Sequence, residues 1–194
     1  MTLPDFYLTP YQRHRVEWKN CERCELCQTR DKVVLVRGTL PAPVLFIGEA
    51  PGVSENTLGL PFVGPAGKLL DRIIDKANWQ DNSYAITNLV GCIPLGEDGA
   101  KTAEPSKECI YACEPRLTQV LGLCQPKLIV CVGRLSTKYV PKLIGYRSLR
   151  NVDKVQWLDL IHPAAILRMD VMQQRLAIQR SIVALADALE NLQG

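Results

Sequence analysis

The amino-acid sequence predicts an α/β protein of three layers, α/β/α, in which helices cover both faces of a central four-stranded parallel sheet. Short apolar runs that end at a glycine or an asparagine are typical of strands buried on both faces. Stretches with helical periodicity lie between and after these runs, and strands that alternate with helices indicate a parallel sheet. The predicted strands are 44–47, 84–87, 128–132 and 155–160, the last with a mixed pattern.

Two segments have the spacing of amphipathic helices. The first begins at about Ala66, and its apolar face consists of Leu69, Leu70, Ile73, Ile74 and Ala77. The second closes the chain, with apolar residues in steps of four and three at Ile178, Ile182, Leu185, Leu189 and Leu192. The first 40 or so residues show neither pattern, so we expect an irregular N-terminal segment.

Length and composition indicate one domain over residues 1–194. Hydrophobic residues make up 47% of the chain and charged residues 22%, the balance of an ordinary globular protein. This balance excludes a disordered chain, a collagen-like fibre and a coiled coil. The net charge of +3 permits contact with a phosphate backbone but does not by itself indicate it.

No apolar run approaches the ~18–20 residues that span a bilayer, and the N-terminus lacks the apolar stretch of a secretory signal. We therefore expect a cytoplasmic protein, monomeric and without a membrane partner. In that compartment the eight cysteines are reduced, and clustered thiols then favour metal or redox chemistry. Cys131 lies within an apolar run and is predicted to be a buried structural residue, as is Cys124.

A glycine-rich loop follows the first predicted strand. It starts at Gly48-Glu-Ala-Pro-Gly52 and continues through Gly59, Gly64 and Gly67 into the first amphipathic helix. Glycines there let the backbone approach a ligand closely. In parallel sheets ligands bind outside the carboxyl ends of the strands, which places this loop, Asn88 and His162 on one rim. The loop is neither a Walker A sequence nor the dinucleotide-binding pattern.

Several motifs together carry a resemblance that covers about residues 21–168. They are Gly48-Glu-Ala-Pro-Gly52, Leu60-Pro-Phe-Val-Gly64, Thr87-Asn88 ahead of Cys92, and His162-Pro-Ala164. In this order they resemble the family 4 uracil-DNA glycosylases, whose members carry a 4Fe-4S cluster. The resemblance implies an enzyme that flips uracil out of DNA and hydrolyses its N-glycosidic bond.

The resemblance also implies a set of cluster ligands. Cys21 and Cys24 in the N-terminal segment match the start of the family pattern, Cys92 matches its third ligand, and Cys113 matches its fourth. Cys109 lies one helical turn before Cys113 and is the alternative fourth ligand. Cys27 is a further candidate, although its place in the family pattern is not that of a ligand. Four thiolates suit zinc as well as an iron–sulfur cluster, so only the resemblance favours 4Fe-4S.

For the pocket, the resemblance implies that Phe62 stacks on the flipped base and that Asn88 reads its Watson–Crick edge. The loop residues Glu49, Ala50 and Pro51 would contact uracil. His162 would donate a hydrogen bond to the O2 atom of uracil as negative charge develops there. The only other histidine, His14, lies in a charged stretch and is predicted to be on the surface.

A carboxylate is needed to orient water and to oppose the positive charge on the sugar. Glu49 and Glu55 both remain candidates. Ala165, after the His-Pro, would lie in the loop that enters the duplex, and Arg168 would hold a phosphate.

The sequence thus predicts a monofunctional uracil-DNA glycosylase, because no motif positions a lysine as a Schiff-base nucleophile. The alternative is a catalytically weak or inactive iron–sulfur DNA-binding relative in a phage or in a replication or repair assembly. Departures from the family pattern at 53–56 and 160–161 support that alternative. A zinc-stabilised interaction module would leave the glycine-rich loop and His162 unexplained.

Overall fold

A five-stranded sheet organises the computed structural model, which describes residues 8–79, 83–96, 102–143 and 154–192. The strand order is β1-β3-β2-β4-β5, and β2 to β5 are parallel. The strands are β1 (Arg37–Gly38), β2 (Val44–Gly48), β3 (Tyr84–Asn88), β4 (Leu128–Val132) and β5 (Gln156–Leu160). The four predicted parallel strands are confirmed.

The sheet has one more strand than the sequence predicts. β1 adds an antiparallel edge, with Arg37 opposite Ile86 and Gly38 opposite Ala85. A strand of two residues is too short to show an alternating pattern in the sequence. Gly38 has φ +103°, and a Cβ there would lie 2.2 Å from the carbonyl oxygen of Tyr84. The edge therefore depends on a glycine that lets the two backbones meet.

Seven α-helices and a short 3₁₀ helix accompany the sheet in the described part of the chain. They are α1 (Pro10–Trp18), the 3₁₀ helix (Glu25–Gln28), α2 (Val53–Leu58), α3 (Pro65–Lys76), α4 (Lys107–Cys124), α5 (Arg134–Leu143), α6 (Pro163–Ile166) and α7 (Val171–Glu190). The two predicted amphipathic helices are confirmed as α3 and α7. Within the described residues, none of the helices combines the length and apolarity needed to cross a bilayer.

Helices pack on both faces of the sheet, as the three-layer prediction requires. Leu45 and Ile47 of β2 pack with α4 and α5, whereas Val44 and Phe46 face α3 and α7. Alternate residues of one strand therefore enter two separate cores. β5 lies at the other edge of the sheet, where Trp157 is partly exposed, which explains its mixed sequence pattern.

The N-terminal segment is more regular than the sequence indicates. Thr9 and Gln12 form a capping box that starts α1, a helix with too few apolar residues to show a helical pattern. The prediction that His14 lies on the surface is wrong. His14 is 3% exposed because it and Trp18, one turn later, face α4, where Gln119 Oε1 lies 2.8 Å from the His14 Nδ1. Burial lowers the pKa of His14.

The loop between α2 and α3 is fixed by close backbone contact. Phe62 adopts φ +54°, an unusual conformation for a bulky residue. Gly67 in the first turn of α3 approaches it so closely that a Cβ would lie 1.8 Å from the carbonyl oxygen of Phe62. The glycine thus allows the strained Phe62 backbone to sit on the helix.

We expect Gly67→Ala to lower the free energy of unfolding by about 1–3 kcal/mol, because the added methyl group overlaps backbone that cannot move freely. Urea denaturation measures this loss. Gly122→Ala in α4 is the matched control, since a Cβ at that position meets nothing within 4 Å. The control should gain about 0.5–1 kcal/mol from its helix propensity. Equal effects of the two substitutions would contradict the packing described.

Candidate active site

A cleft of about 960 Å³ opens at the carboxyl ends of the parallel strands. Gly48 and Asn88 are paired at the ends of β2 and β3, so the glycine-rich loop and Asn88 enter the cleft side by side. The residues that follow β5 line its opposite wall. The sequence-predicted residues that line the cleft are Glu49, Ala50, Pro51, Glu55, Phe62, Asn88, His162, Ala165 and Arg168.

Phe62 and Asn88 meet over Gly48. A Cβ added to Gly48 would lie 2.5 Å from the Phe62 ring and 2.5 Å from the Asn88 Oδ1. Only a residue without a side chain leaves room for both groups. The pair therefore forms one end of the cleft, an aromatic ring beside an amide.

The Asn88 amide has an unusual environment. Asn88 is 1% exposed, and its Oδ1 is buried without a hydrogen-bond partner. Leaving a buried acceptor unpaired costs about 1–3 kcal/mol, so such atoms are rare outside functional sites. An N–H group of a ligand in the cleft would satisfy this oxygen.

His162 begins α6 and is held by its own helix. Its Nδ1 accepts a hydrogen bond from the backbone N–H of Ala164 at 3.1 Å, which leaves the ring proton on Nε2. The ring lies 5.8 Å from that of Phe62, with 31° between their planes. Burial lowers the pKa of His162 although the nearby Glu49 carboxylate opposes the shift. A neutral imidazole that carries its proton on Nε2 is therefore the state near pH 7.

Glu49 lies between His162 and the start of α5. Its Oε1 accepts a hydrogen bond from the backbone N–H of Leu135 at 2.9 Å. The first N–H groups of a helix favour a carboxylate at this place. Gly133, with φ +104°, makes room for the arrangement, since a Cβ there would lie 2.6 Å from the Glu49 Oε1 and 3.0 Å from the Cβ of His162.

Glu55 is used differently. Its Oε1 accepts hydrogen bonds from the backbone N–H groups of Val63 and Gly64, at 2.9 and 2.8 Å. Its Oε2 accepts one from Gly52 at 3.1 Å. Both oxygens are thus occupied in tying the two ends of the loop together. Within the same segment, Asn56 bonds the Asp31 carboxylate, so its departure from the family pattern serves the N-terminal segment.

A second cavity lies behind β3 and is lined by sulfur. Cys21, Cys24, Cys27, Cys92 and Cys113 all border it. Cys109 is not among its lining residues, and its thiol lies beside Cys24 and 3.5 Å from the Glu25 Oε1. Among the described residues, no group of three or more His, Cys, Asp or Glu side chains is gathered as the ligands of a single metal ion.

The surroundings of this cysteine cavity suit an anionic, sulfur-rich group. Arg30 lines the cavity, and its buried Nη1 has no hydrogen-bond partner. The Cys113 Sγ accepts two hydrogen bonds, from the backbone N–H of Gly91 at 3.3 Å and from the Arg116 Nε–H at 3.2 Å. An acceptor sulfur and an unpaired guanidinium nitrogen together fit a cluster ligated by thiolates.

The two cysteines predicted to be structural are confirmed as such. Cys124 and Cys131 are fully buried, and burial raises the pKa of each thiol to about 12. In contrast, two residues that shape the site escaped sequence reasoning, namely Gly133 and Arg116. Gly133 ends an apolar run as many loop glycines do, and no pattern marks an arginine as buried.

Comparison with known proteins agrees with this combination of a doubly covered parallel sheet and a cleft at its carboxyl edge. The sequence model of the Uracil DNA glycosylase superfamily matches residues 36–186. The type-4 uracil-DNA glycosylase of Pyrobaculum aerophilum is 34% identical over 163 residues, which cover 77% of this chain and 81% of that protein. That of Archaeoglobus fulgidus is 31% identical, with coverages of 78% and 80%.

A solved structure supports the fold independently. The crystal structure of wild-type Pedobacter heparinus SMUG2 superposes with a TM-score of 0.59 at 17% identity, covering 77% of this chain and 76% of that one.

The match to the family model and the identities to the curated relatives show that the chain belongs to the uracil DNA glycosylase superfamily, and within it to the type-4 uracil-DNA glycosylases.

We expect Glu55→Gln to lower the free energy of unfolding by about 2 kcal/mol or more, because three backbone N–H groups lose a charged acceptor. Glu49→Gln is the matched control. It retains an oxygen for the single N–H of Leu135 and should stay within about 1 kcal/mol of the parent. Urea unfolding compares the two. A similar loss in both variants would contradict the structural role assigned to Glu55.

Proposed function

We propose that this chain is a monofunctional DNA glycosylase that hydrolyses the N-glycosidic bond of uracil in DNA, releases free uracil and leaves an abasic site. The observation that carries the proposal is the unpaired, buried Oδ1 of Asn88 beside the Phe62 ring. Uracil has an N–H group at N3 and a flat face, which match these two features. The curated relatives named type-4 uracil-DNA glycosylase support the same activity.

In this proposal the flipped base enters the cleft with its ring against Phe62. The Asn88 Oδ1 accepts the N3–H hydrogen bond, and the amide NH₂ of the same side chain donates to O4. Because cytosine has an acceptor at N3 and a donor at its 4-position, it presents the opposite pattern. The Asn88 side chain would thus select uracil over cytosine.

Cleavage follows from the positions of His162 and Glu49. The electron pair of the C1′–N1 bond leaves with uracil, and the neutral His162 donates its Nε2–H to O2 as that charge develops. The sugar gains positive charge, which the Glu49 carboxylate opposes while it orients a water molecule. The water oxygen bonds to C1′ and its proton passes to Glu49 and then to solvent, while the departing uracil anion takes up a proton from solvent to become free uracil.

Glu49 is the better candidate for this role than Glu55. Glu49 uses one oxygen in its hydrogen bond to Leu135 and lies next to His162. Glu55 has both oxygens engaged by backbone N–H groups. We therefore assign water activation to Glu49 and loop stability to Glu55.

DNA would approach along the rim beside α6. Arg168 is exposed at the end of this short segment, where it can bind a phosphate. Ala165 is partly exposed and small enough to enter the duplex where the base leaves it. Uracil-containing DNA is the substrate that this surface would bind.

Cys21, Cys24, Cys92 and Cys113 would hold a 4Fe-4S cluster in the cysteine cavity. When bound, the cluster supplies a covalent cross-link between the N-terminal segment, the end of β3 and α4. We favour Cys113 over Cys109 because Cys113 borders the cavity and accepts two N–H hydrogen bonds, whereas Cys109 faces Glu25.

We expect no lyase activity, which would need a lysine nucleophile in the cleft. Lys138 lines the cleft, but its ammonium lies 5.1 Å from the centroid of the Tyr139 ring, in a cation–π contact. A lysine nucleophile needs an activating neighbour, and the contact that the structure shows for this amine is with the Tyr139 ring. Hydrolysis without strand cleavage is the expected outcome.

The test incubates the protein with an oligonucleotide that contains a single uracil. Chromatography detects the released base, and alkali treatment of the oligonucleotide then cleaves the strand at abasic sites. We expect free uracil and strand breakage only after alkali. His162→Ala should release uracil about 10²–10³-fold more slowly and still bind DNA. Intact strands after alkali, with folded parent protein, would overturn the function, and breakage without alkali would overturn its monofunctional character.

We expect Asn88→Asp to lower kcat/KM on uracil DNA by about 10–100-fold, because a carboxylate cannot donate to O4 and leaves that oxygen unpaired. Steady-state kinetics measures the loss. Asn78→Asp is the matched control, since this exposed residue follows α3 outside the cleft and makes the same chemical change. Parent-like kinetics of Asn88→Asp would show that uracil is read elsewhere.

A further inference from the structure

Arg116 lies between the cleft and the cysteine cavity. It belongs to α4 and is fully buried, the largest side chain of the described core to be so. Arginine is seldom buried without strong partners. Its guanidinium makes hydrogen bonds in two directions, and each direction leads to one of the two sites.

Towards the cleft, Arg116 binds the end of β3. One Nη2–H group bonds the backbone carbonyl of Asn88, and Nη2 also lies 3.2 Å from that of Leu89. Nη1 donates to the Thr87 hydroxyl at 3.1 Å. The N–H of Leu89 in turn donates to the Gly48 carbonyl at 2.8 Å. The backbone that carries the Asn88 amide is thus fixed on its far side by one guanidinium.

Towards the cysteine cavity, the Nε–H of Arg116 donates to the Cys113 Sγ at 3.2 Å. Gly91 permits this approach, since a Cβ there would lie 3.2 Å from the Nε. The side chain is therefore a single rigid link between a cavity-lining sulfur and the residue that faces the cleft.

The hydrogen-bond partners of the Arg116 guanidinium are unusual for a buried charge. Across the described ranges, no carboxylate lies within ion-pair distance of its guanidinium, and its acceptors are two carbonyls, a hydroxyl and a sulfur. A buried cation without an anion is costly. These four acceptors therefore hold the buried guanidinium in place.

We propose that Arg116 is a positioning residue for uracil recognition, which sets the orientation of Asn88 by a network anchored on the Cys113 sulfur. This proposal rests on the proposed function and adds to it a physical route from the cysteine cavity to the base-reading side chain. The fork of the guanidinium is essential, because it contacts the Asn88 carbonyl and the Cys113 sulfur at once. A lysine keeps the charge but cannot bridge the two.

The test uses Arg116→Lys in the cluster-loaded protein, with four readouts. Inhibition by free uracil reports the pocket, visible absorbance per protein reports the cluster, circular dichroism reports the fold, and the base released from uracil DNA reports activity. We expect uracil affinity to fall about 10-fold, the magnitude of one misplaced buried hydrogen bond, while absorbance and circular dichroism stay at parent values. Arg180→Lys, the same change at an exposed position of α7 outside both cavities, is the matched control and should retain parent affinity.

Parent-like uracil affinity in a folded, loaded Arg116→Lys protein would overturn the proposal. Affinity lost only in proportion to absorbance would overturn it too, since Arg116 would then act solely by holding the cluster. If the parent protein neither binds nor releases uracil, the proposed function is wrong. A failure of the Arg116 proposal is different, because the parent protein would still bind and release uracil.

Thr87→Val provides the second variant should Arg116→Lys not fold. It removes the hydroxyl that Arg116 Nη1 bonds and leaves the cleft lining unchanged. We expect a loss of uracil affinity of about 3-fold, with parent absorbance. Unchanged affinity in this variant would count against the network as directly as unchanged affinity in the first.

Discussion

The pairing of β2 with β3 is the constraint on which the rest of the molecule depends. It brings Gly48 and Asn88 to the same level at the carboxyl edge of the sheet. With hydrogen in place of a side chain at Gly48, the Phe62 ring and the Asn88 amide can occupy one small volume. The ring of His162 also lies near that meeting point, 5.8 Å from the ring of Phe62.

The parts of the fold that follow local patterns were predictable. β2 and β4 are continuous apolar runs because both their faces are covered, and α3 shows helical periodicity because one face meets the sheet. β1 escaped prediction because two residues carry no period, and α1 because its contact with α4 uses a histidine and a tryptophan rather than an apolar stripe. These contacts arise only once distant segments have been brought together.

In the candidate site, too, some residues could be predicted from sequence motifs and others depend on contacts between distant segments. Motif spacing placed Asn88 and His162 near one rim, because parallel strands end at a common edge. The choice between Glu49 and Glu55 could not come from the sequence, since it depends on which backbone N–H groups reach each carboxylate. The burial of Arg116 was equally invisible. In the described part of the chain its guanidinium finds four acceptors, one on α4 itself and three at the end of β3, 27 to 29 residues earlier.

A crystal structure of the protein with free uracil would show whether Phe62 and Asn88 form the pocket that reads the base. We expect the ring of uracil against Phe62, N3–H within hydrogen-bond distance of the Asn88 Oδ1, and O2 facing the His162 Nε2. Uracil bound elsewhere, or bound in the cleft with the Asn88 Oδ1 still unpaired, would contradict this arrangement.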